Sequence, residues 1–222
     1  MQPRFVGRLS LADAVTTTNA AVGFAAVALA GVDVTLAARL VLLAAIADGL
    51  DGIIAARRGS TEFGAYLDGL ADVASFGVAP GMLVYTLAWT APVEAPVRQV
   101  LAVGVPAVFV AVVVVRLALY TELDATDHTT EGVQSTLAGT VLAAAVLSGA
   151  GALVLVGATV LFWYLMVAPI EYPDLLPRDT LLMGGVQALA VLAPTVYGGL
   201  FPKVLLVWAV AYLVLAPWFY WR

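Results

Sequence analysis

The chain has 222 residues, 63% of them hydrophobic and 11% charged, with a mean hydropathy of +1.01 and a formal net charge of −5. That balance excludes a water-soluble globular domain, and an acidic chain with a single lysine, Lys203, offers no basic surface for nucleic acid. The absence of cysteine excludes disulfide frameworks, thiolate nucleophiles and Cys-ligated zinc or iron–sulfur sites.

A bilayer core needs about 20 apolar residues per helix. The expected fold class is therefore all-α: a polytopic membrane bundle of about eight transmembrane helices, with six or seven as alternatives. The N-terminal MQPRFVGRLSLADAVTTTN has no short apolar core ending in a small-residue cleavage site, so the first span is expected to stay. Apolar runs predict spans at 11–30, 34–56, 66–89, 98–120, 135–149, 151–168, 180–197 and 201–221. Residues 135–169 carry no charge over 35 positions, and one helix of that length would reach about 52 Å across a core of roughly 30 Å. A hairpin turning at Ser148, Gly149, Ala150 and Gly151 is predicted instead. Trp163, Tyr164, Trp218, Tyr220 and Trp221 fall near span ends and read as an interfacial belt.

An even number of spans puts both ends on one side, together with Arg4, Arg8, Arg57, Arg58, Arg178 and Arg222, whereas Arg98 and Lys203 fall on the other. The positive-inside rule makes the first side cytoplasmic. The excess of 15 acidic over 10 basic residues has two readings, acids gathered in a metal site or a chain from a high-salt cytoplasm. Without a recognisable internal repeat, residues 1–222 read as one domain with a motif core at 48–72 and further spans at 180–221.

The stretch ADGLDGIIAARRGSTEFGAYLDGLADVASFGVAP, residues 47–80, places four aspartates in otherwise apolar chain. Asp48 and Asp51 share one face of the second helix, with Gly52 a turn beyond Asp48. Gly64, Asp68 and Asp72 recur every fourth residue and form a stripe on the third. The short connection makes the two helices antiparallel neighbours, so the two aspartate pairs face each other. A charge at the bilayer centre costs about 2.5–3.5 kcal/mol on insertion scales and marks function more often than structure. Carboxylates converging there repel unless cations neutralise them, and oxygen-only ligation suits Mg²⁺, Mn²⁺ or Ca²⁺ rather than zinc, with room for two ions. The structural alternatives are acids solvated at helix ends or paired with arginines, and small residues that only let helices pack closely.

Asp48-x-x-Asp51-Gly52-x-x-Ala55 followed by Gly64-x-x-x-Asp68-x-x-x-Asp72 resembles the signature of the CDP-alcohol phosphatidyltransferase family. The resemblance implies that Asp48, Asp51 and Asp68 are metal ligands, that Asp72 is both ligand and catalytic base, and that Gly52, Ala55 and Gly64 let a nucleotide approach the backbone. Asn19, with Gly23 and Phe24 on the next turn, resembles the first-helix element near that nucleotide. The family's Ala-Arg is here Ala55-Ala56-Arg57-Arg58, which divides the phosphate-binding role between Arg57 and Arg58.

STEFGAYLDGLADVASFGVAP, VRLALY (115–120), GVQSTLAG (132–139) and LMVAPIEYPDL (165–175) resemble the phosphatidylserine synthase branch. The implied reaction moves a phosphatidyl-type group from a CDP-lipid, CDP-diacylglycerol or CDP-archaeol, to L-serine and releases CMP. The resemblance also implies a homodimer in the cytoplasmic membrane. Arg116 is expected either to snorkel or to hold an anion, the serine carboxylate or the lipid pyrophosphate. Arg178 is a weaker anchor for a lipid headgroup, and His128, in an acidic loop, reads as solvated. Alternative acceptors are glycerol phosphate and inositol phosphate. Rivals outside the family are an ion-coupled transporter, a divalent-cation channel and a structural scaffold.

Overall fold

The computed structural model describes residues 8–59, 61–121, 129–173 and 177–219. His128, Tyr220 and Trp221 lie outside the described residues, as do the side chains of Arg58 and Arg178. Eight helices run through the described residues: α1 (Leu11–Ala30), α2 (Val34–Arg58), α3 (Gly64–Trp89), α4 (Ala95–Leu119), α5 (Ser135–Leu147), α6 (Ala152–Leu165), α7 (Pro177–Leu192) and α8 (Leu200–Phe219). The protein is an all-α membrane protein: α1, α3, α4 and the stretch Val196–Trp218 within and before α8 are long and apolar enough to cross a bilayer.

Local chemistry sets the helix ends. Ser10 caps α1 through a capping box, its Oγ accepting from the Asp13 amide at 3.1 Å while Asp13 Oδ2 accepts from the Ser10 amide at 2.7 Å. Asp33 caps α2 by accepting from the Leu36 amide at 2.9 Å. The turn expected at 148–151 is a Schellman motif, with Gly149 at φ +80°, its amide on Val146 O at 3.0 Å and the Ala150 amide on Ala145 O at 2.9 Å.

α5 is the central column, with ten of its thirteen residues buried. It packs against α2, α3 and α8, and its first turn faces the aspartates. α1 and α2 pack against each other, and Ala26, Ala30, Ala37 and Ala38 are buried in one apolar cluster, small side chains of the kind that lets helix backbones approach closely. The larger apolar core, containing Phe109, Leu142, Leu155, Phe162 and Met166, lies among α3, α4, α5, α6 and α8.

Two features go beyond the sequence expectations. First, α3 and α4 each contain a π-helical segment, Val73–Val78 and Val100–Gly104, the former starting directly after Asp72. Second, the connections after α4 and α6 pair as a two-stranded antiparallel ribbon, β1 (Thr129–Glu131) with β2 (Glu171–Pro173). The ribbon is fastened to α8: Tyr172 donates to Leu213 O at 3.1 Å and Tyr212 donates to Pro173 O at 2.7 Å. Burial pushes the Tyr172 phenol up from its ordinary value.

Candidate active site

The antiparallel α2 and α3 bring acidic side chains together as their spacing predicts. One carboxylate oxygen from each of Asp48, Asp68 and Asp72 lies within 4.8 Å of the others. Asp72 is 6% exposed and its Oδ1 has no hydrogen-bond partner. Asp51, 5% exposed, is engaged by α1 instead, its Oδ2 accepting from Thr16 Oγ1 at 2.6 Å. Asp48 Oδ2 accepts from Thr136 Oγ1, in the first turn of α5, at 3.2 Å. A cluster of hard carboxylate oxygens with one buried oxygen unsatisfied fits a hard divalent cation, and Asp48, Asp68 and Asp72 are the residues that would hold it.

The other residues singled out in the sequence divide into two groups. Asn19 is fully buried, and neither its amide nitrogen nor its side-chain oxygen has a partner. Such an orphaned amide is costly in isolation and suits a polar ligand. A Cβ built on Gly52 would meet nothing within 4 Å, so this glycine is not there for helix packing. Gly64 starts α3, and Gly64 and Ala55 are half-buried. Arg57 is exposed at the end of α2. Phe24 points outward at 71% exposure.

Arg116 is 4% exposed, lies 5.2 Å from the centroid of the Tyr120 ring, and lines a chamber of about 150 Å³ with Asp48, Asp68, Asp72, Gln134 and Ser135. A second cavity of about 420 Å³, lined by residues of α2, α5, α7 and α8, has Leu50, Ile53, Leu137 and Leu181 among its apolar walls. Asp48 and Gln134 line both.

The blocks that set the branch resemblance pack on one another. A Cβ on Gly139 would stand 3.1 Å from Phe76 Cδ1 and 3.3 Å from Pro80 Cγ, and one on Gly77 would stand 3.2 Å from Val113 Cγ1. Ser75 donates to Asn19 O at 3.0 Å, and Gly23 faces it so closely that a Cβ would lie 2.6 Å from Ser75 Oγ. The Ser75–Pro80 run thus fixes α1, α4 and α5 around the site by packing.

Individual neighbours of the aspartates were not singled out in the sequence: Thr16 and Thr136 donate to them, and Gln134 and Ser135 line the chamber beside them. Thr61, in the α2–α3 connection, donates to Asp13 Oδ2 at 3.0 Å and anchors that connection to the start of α1. Thr16 belongs to the TTTN run ending at Asn19, and Gln134, Ser135 and Thr136 belong to the GVQSTLAG block, but the partners of Thr16 and Thr136 are far away along the chain.

Comparison with known proteins agrees with this arrangement. Residues 9–172 match the CDP-alcohol phosphatidyltransferase family model. The chain is 40% identical over 85 residues to an archaetidylserine synthase of Methanothermobacter thermautotrophicus, covering 36% of each chain. It is also 40% identical over 78 residues to a CDP-diacylglycerol–serine O-phosphatidyltransferase of Methanocaldococcus jannaschii, covering 35% of this chain and 36% of that protein. The matched segments thus span about a third of these relatives' length. With a family model matching most of its length and three of the four signature aspartates, Asp48, Asp68 and Asp72, gathered at one site, the chain belongs to the CDP-alcohol phosphatidyltransferase family.

Proposed function

We propose that the protein transfers a phosphatidyl-type group from a CDP-lipid to the hydroxyl of L-serine, releasing CMP, at a site on the cytoplasmic side of the cell membrane. The observation that carries this reading is that Asp48 lines both an apolar cavity and a small polar chamber, which lets a lipid donor and a polar acceptor meet at one acidic cluster. The two relatives named as serine transferases support serine as the acceptor.

In this reading the apolar cavity takes the hydrocarbon part of the donor, which enters sideways from the bilayer. Asn19, Gly52, Ala55 and Gly64 receive the nucleotide, with Arg57 or Arg58 at its phosphates. Arg116 holds the serine carboxylate in the chamber, where a planar guanidinium fork matches a carboxylate. Asp72, whose Oδ1 has no other partner, takes the hydroxyl proton as the serine oxygen attacks the lipid-side phosphorus. The phosphorus–oxygen bond to CMP breaks in the same displacement, so serine loses one proton and CMP leaves with the bond's electrons. Mg²⁺ or Mn²⁺, as one ion or two, would be held by Asp48, Asp51, Asp68 and Asp72. It would supply charge stabilisation at the pyrophosphate. No covalent enzyme intermediate is required.

Glycerol phosphate and inositol phosphate carry a phosphate that calls for additional cations, and Arg116 is the only cationic side chain among the chamber's described lining residues. The test is CMP release and lipid product from purified protein given CDP-archaeol or CDP-diacylglycerol with serine, glycerol phosphate or inositol phosphate, with Mg²⁺, Mn²⁺ or EDTA. Product with serine and metal is expected. No product with serine overturns the acceptor assignment, and cation flux in sealed vesicles without CMP release replaces the enzyme by a transporter or channel. A homodimer forms part of the same reading, checked by the mass of the detergent-solubilised particle.

A further inference from the structure

Asp48 and Asp51 are three residues apart on α2, about 60° around the helix axis at about 100° per residue. Each is taken by a different neighbouring helix. Thr16 of α1 reaches Asp51 Oδ2 at 2.6 Å in a buried contact, and Thr136 of α5 reaches Asp48 Oδ2 at 3.2 Å. Asp48 and Asp51 therefore diverge, one towards the central column and one towards the first helix.

Both threonines sit on rigid supports. Thr16 is 5% exposed and lies one turn before the fully buried Asn19, whose backbone oxygen is fixed by Ser75. Thr136 follows a connection in which Gly132, at φ +76°, donates to Ile170 O at 2.8 Å and Val133 donates to Leu165 O at 2.9 Å. A side chain at Gly132 would run into the Met166 carbonyl, so this approach to α5 has one geometry.

We propose that Thr16 and Thr136 are positioning residues for the metal site: their hydroxyls each occupy one oxygen of Asp51 and Asp48, fix the rotation of those carboxylates, and leave the other oxygen to act as ligand. Outer hydrogen bonds of this kind orient ligating groups, and their loss typically lowers metal affinity by about 10–100-fold. The aspartates themselves are the site already described. The assignment here is to two threonines on helices that carry none of the four aspartates of that motif.

The experiment titrates Mn²⁺ alone into full-length, detergent-solubilised protein and follows the loss of the free-ion electron paramagnetic resonance signal. Thr16→Val and Thr136→Val are expected to bind Mn²⁺ about 10–100-fold more weakly, while Thr16→Ser and Thr136→Ser stay close to wild type. In the Val variants CMP release should need correspondingly more Mn²⁺ yet approach the wild-type rate at saturation. A Val variant with wild-type Mn²⁺ affinity overturns the role of that threonine. A Ser variant as weak as its Val counterpart overturns it too, since the hydroxyl is then not what matters. If Thr16→Val gives no folded protein, Thr16→Ala compared with Thr16→Ser carries the same test. The inference rests on the metal-dependent reading above: wild-type protein that binds no Mn²⁺ overturns that reading, whereas unimpaired Val variants beside a Mn²⁺-binding wild type overturn the inference alone.

Discussion

Replacing Gly52 by alanine separates a ligand-approach role from a packing role, because the two predict opposite signs. Gly52 lies within α2, next to Asp51 and one turn after Asp48, and an added Cβ meets no protein atom within 4 Å. In the protein alone the substitution therefore carries no clash. It removes the conformational penalty of a glycine inside a helix, a gain of about 0.5–1 kcal/mol. If the nucleotide lies against this backbone, the methyl occupies space the ligand needs, and an overpacked contact of that kind costs about 1–3 kcal/mol. At about 1.4 kcal/mol per decade, kcat/KM for the CDP-lipid falls about 5- to 150-fold. Thermal melting of the solubilised protein, beside CMP release over a CDP-lipid titration, measures both signs. A Gly52→Ala protein that is at least as stable as wild type and retains its full kcat/KM refutes the approach role.

Gly23→Ala should behave in the opposite way: its Cβ would fall 2.6 Å from Ser75 Oγ and 2.9 Å from Ser75 Cα, so the variant should lose about 1–3 kcal/mol of stability, read as a lower melting temperature. Asp72→Asn should abolish CMP release while CDP-lipid binding, followed by ligand-induced stabilisation, largely persists; full turnover would sink the base assignment. Arg116→Lys should raise the serine KM by about tenfold, a loss of roughly 1.4 kcal/mol, with a smaller change in the CDP-lipid KM. EDTA should stop CMP release, and added Mg²⁺ or Mn²⁺ should restore it.

Much of the fold was legible because bilayer physics leaves few choices for the backbone. Spans predicted at 11–30, 34–56 and 66–89 became helices at Leu11–Ala30, Val34–Arg58 and Gly64–Trp89, and the overlong uncharged run broke at its glycines. The gathering of Asp48, Asp68 and Asp72 was legible because an i, i+4 spacing becomes adjacency on a helix, whereas Asp51, three residues from Asp48, turns to Thr16 of α1. The β1–β2 ribbon was not, since three-residue strands have no usable periodicity and their pairing joins Thr129 to Pro173. Thr16 was equally silent, and Thr136 stood out only as part of the GVQSTLAG block. A threonine in an apolar helix is chemically unremarkable until its partner is known, and these partners lie 35 and 88 residues away. The π-helical segment after Asp72 leaves no mark in composition, and the Ser75–Pro80 run that reads as a branch signature is, apart from the exposed Val78, buried as interhelical packing.

The ribbon also bears on how the chain is made. All four aspartates are already in the chain once residue 72 has been added, but β1 finds its partner only at residues 171–173, and Tyr212 grips Pro173 from the last helix. The approach to α5, and with it the Thr136 hydroxyl on Asp48, is closed by segments that emerge late. The surroundings of the acidic cluster are therefore complete only when residues from nearly the whole length of the polypeptide are present.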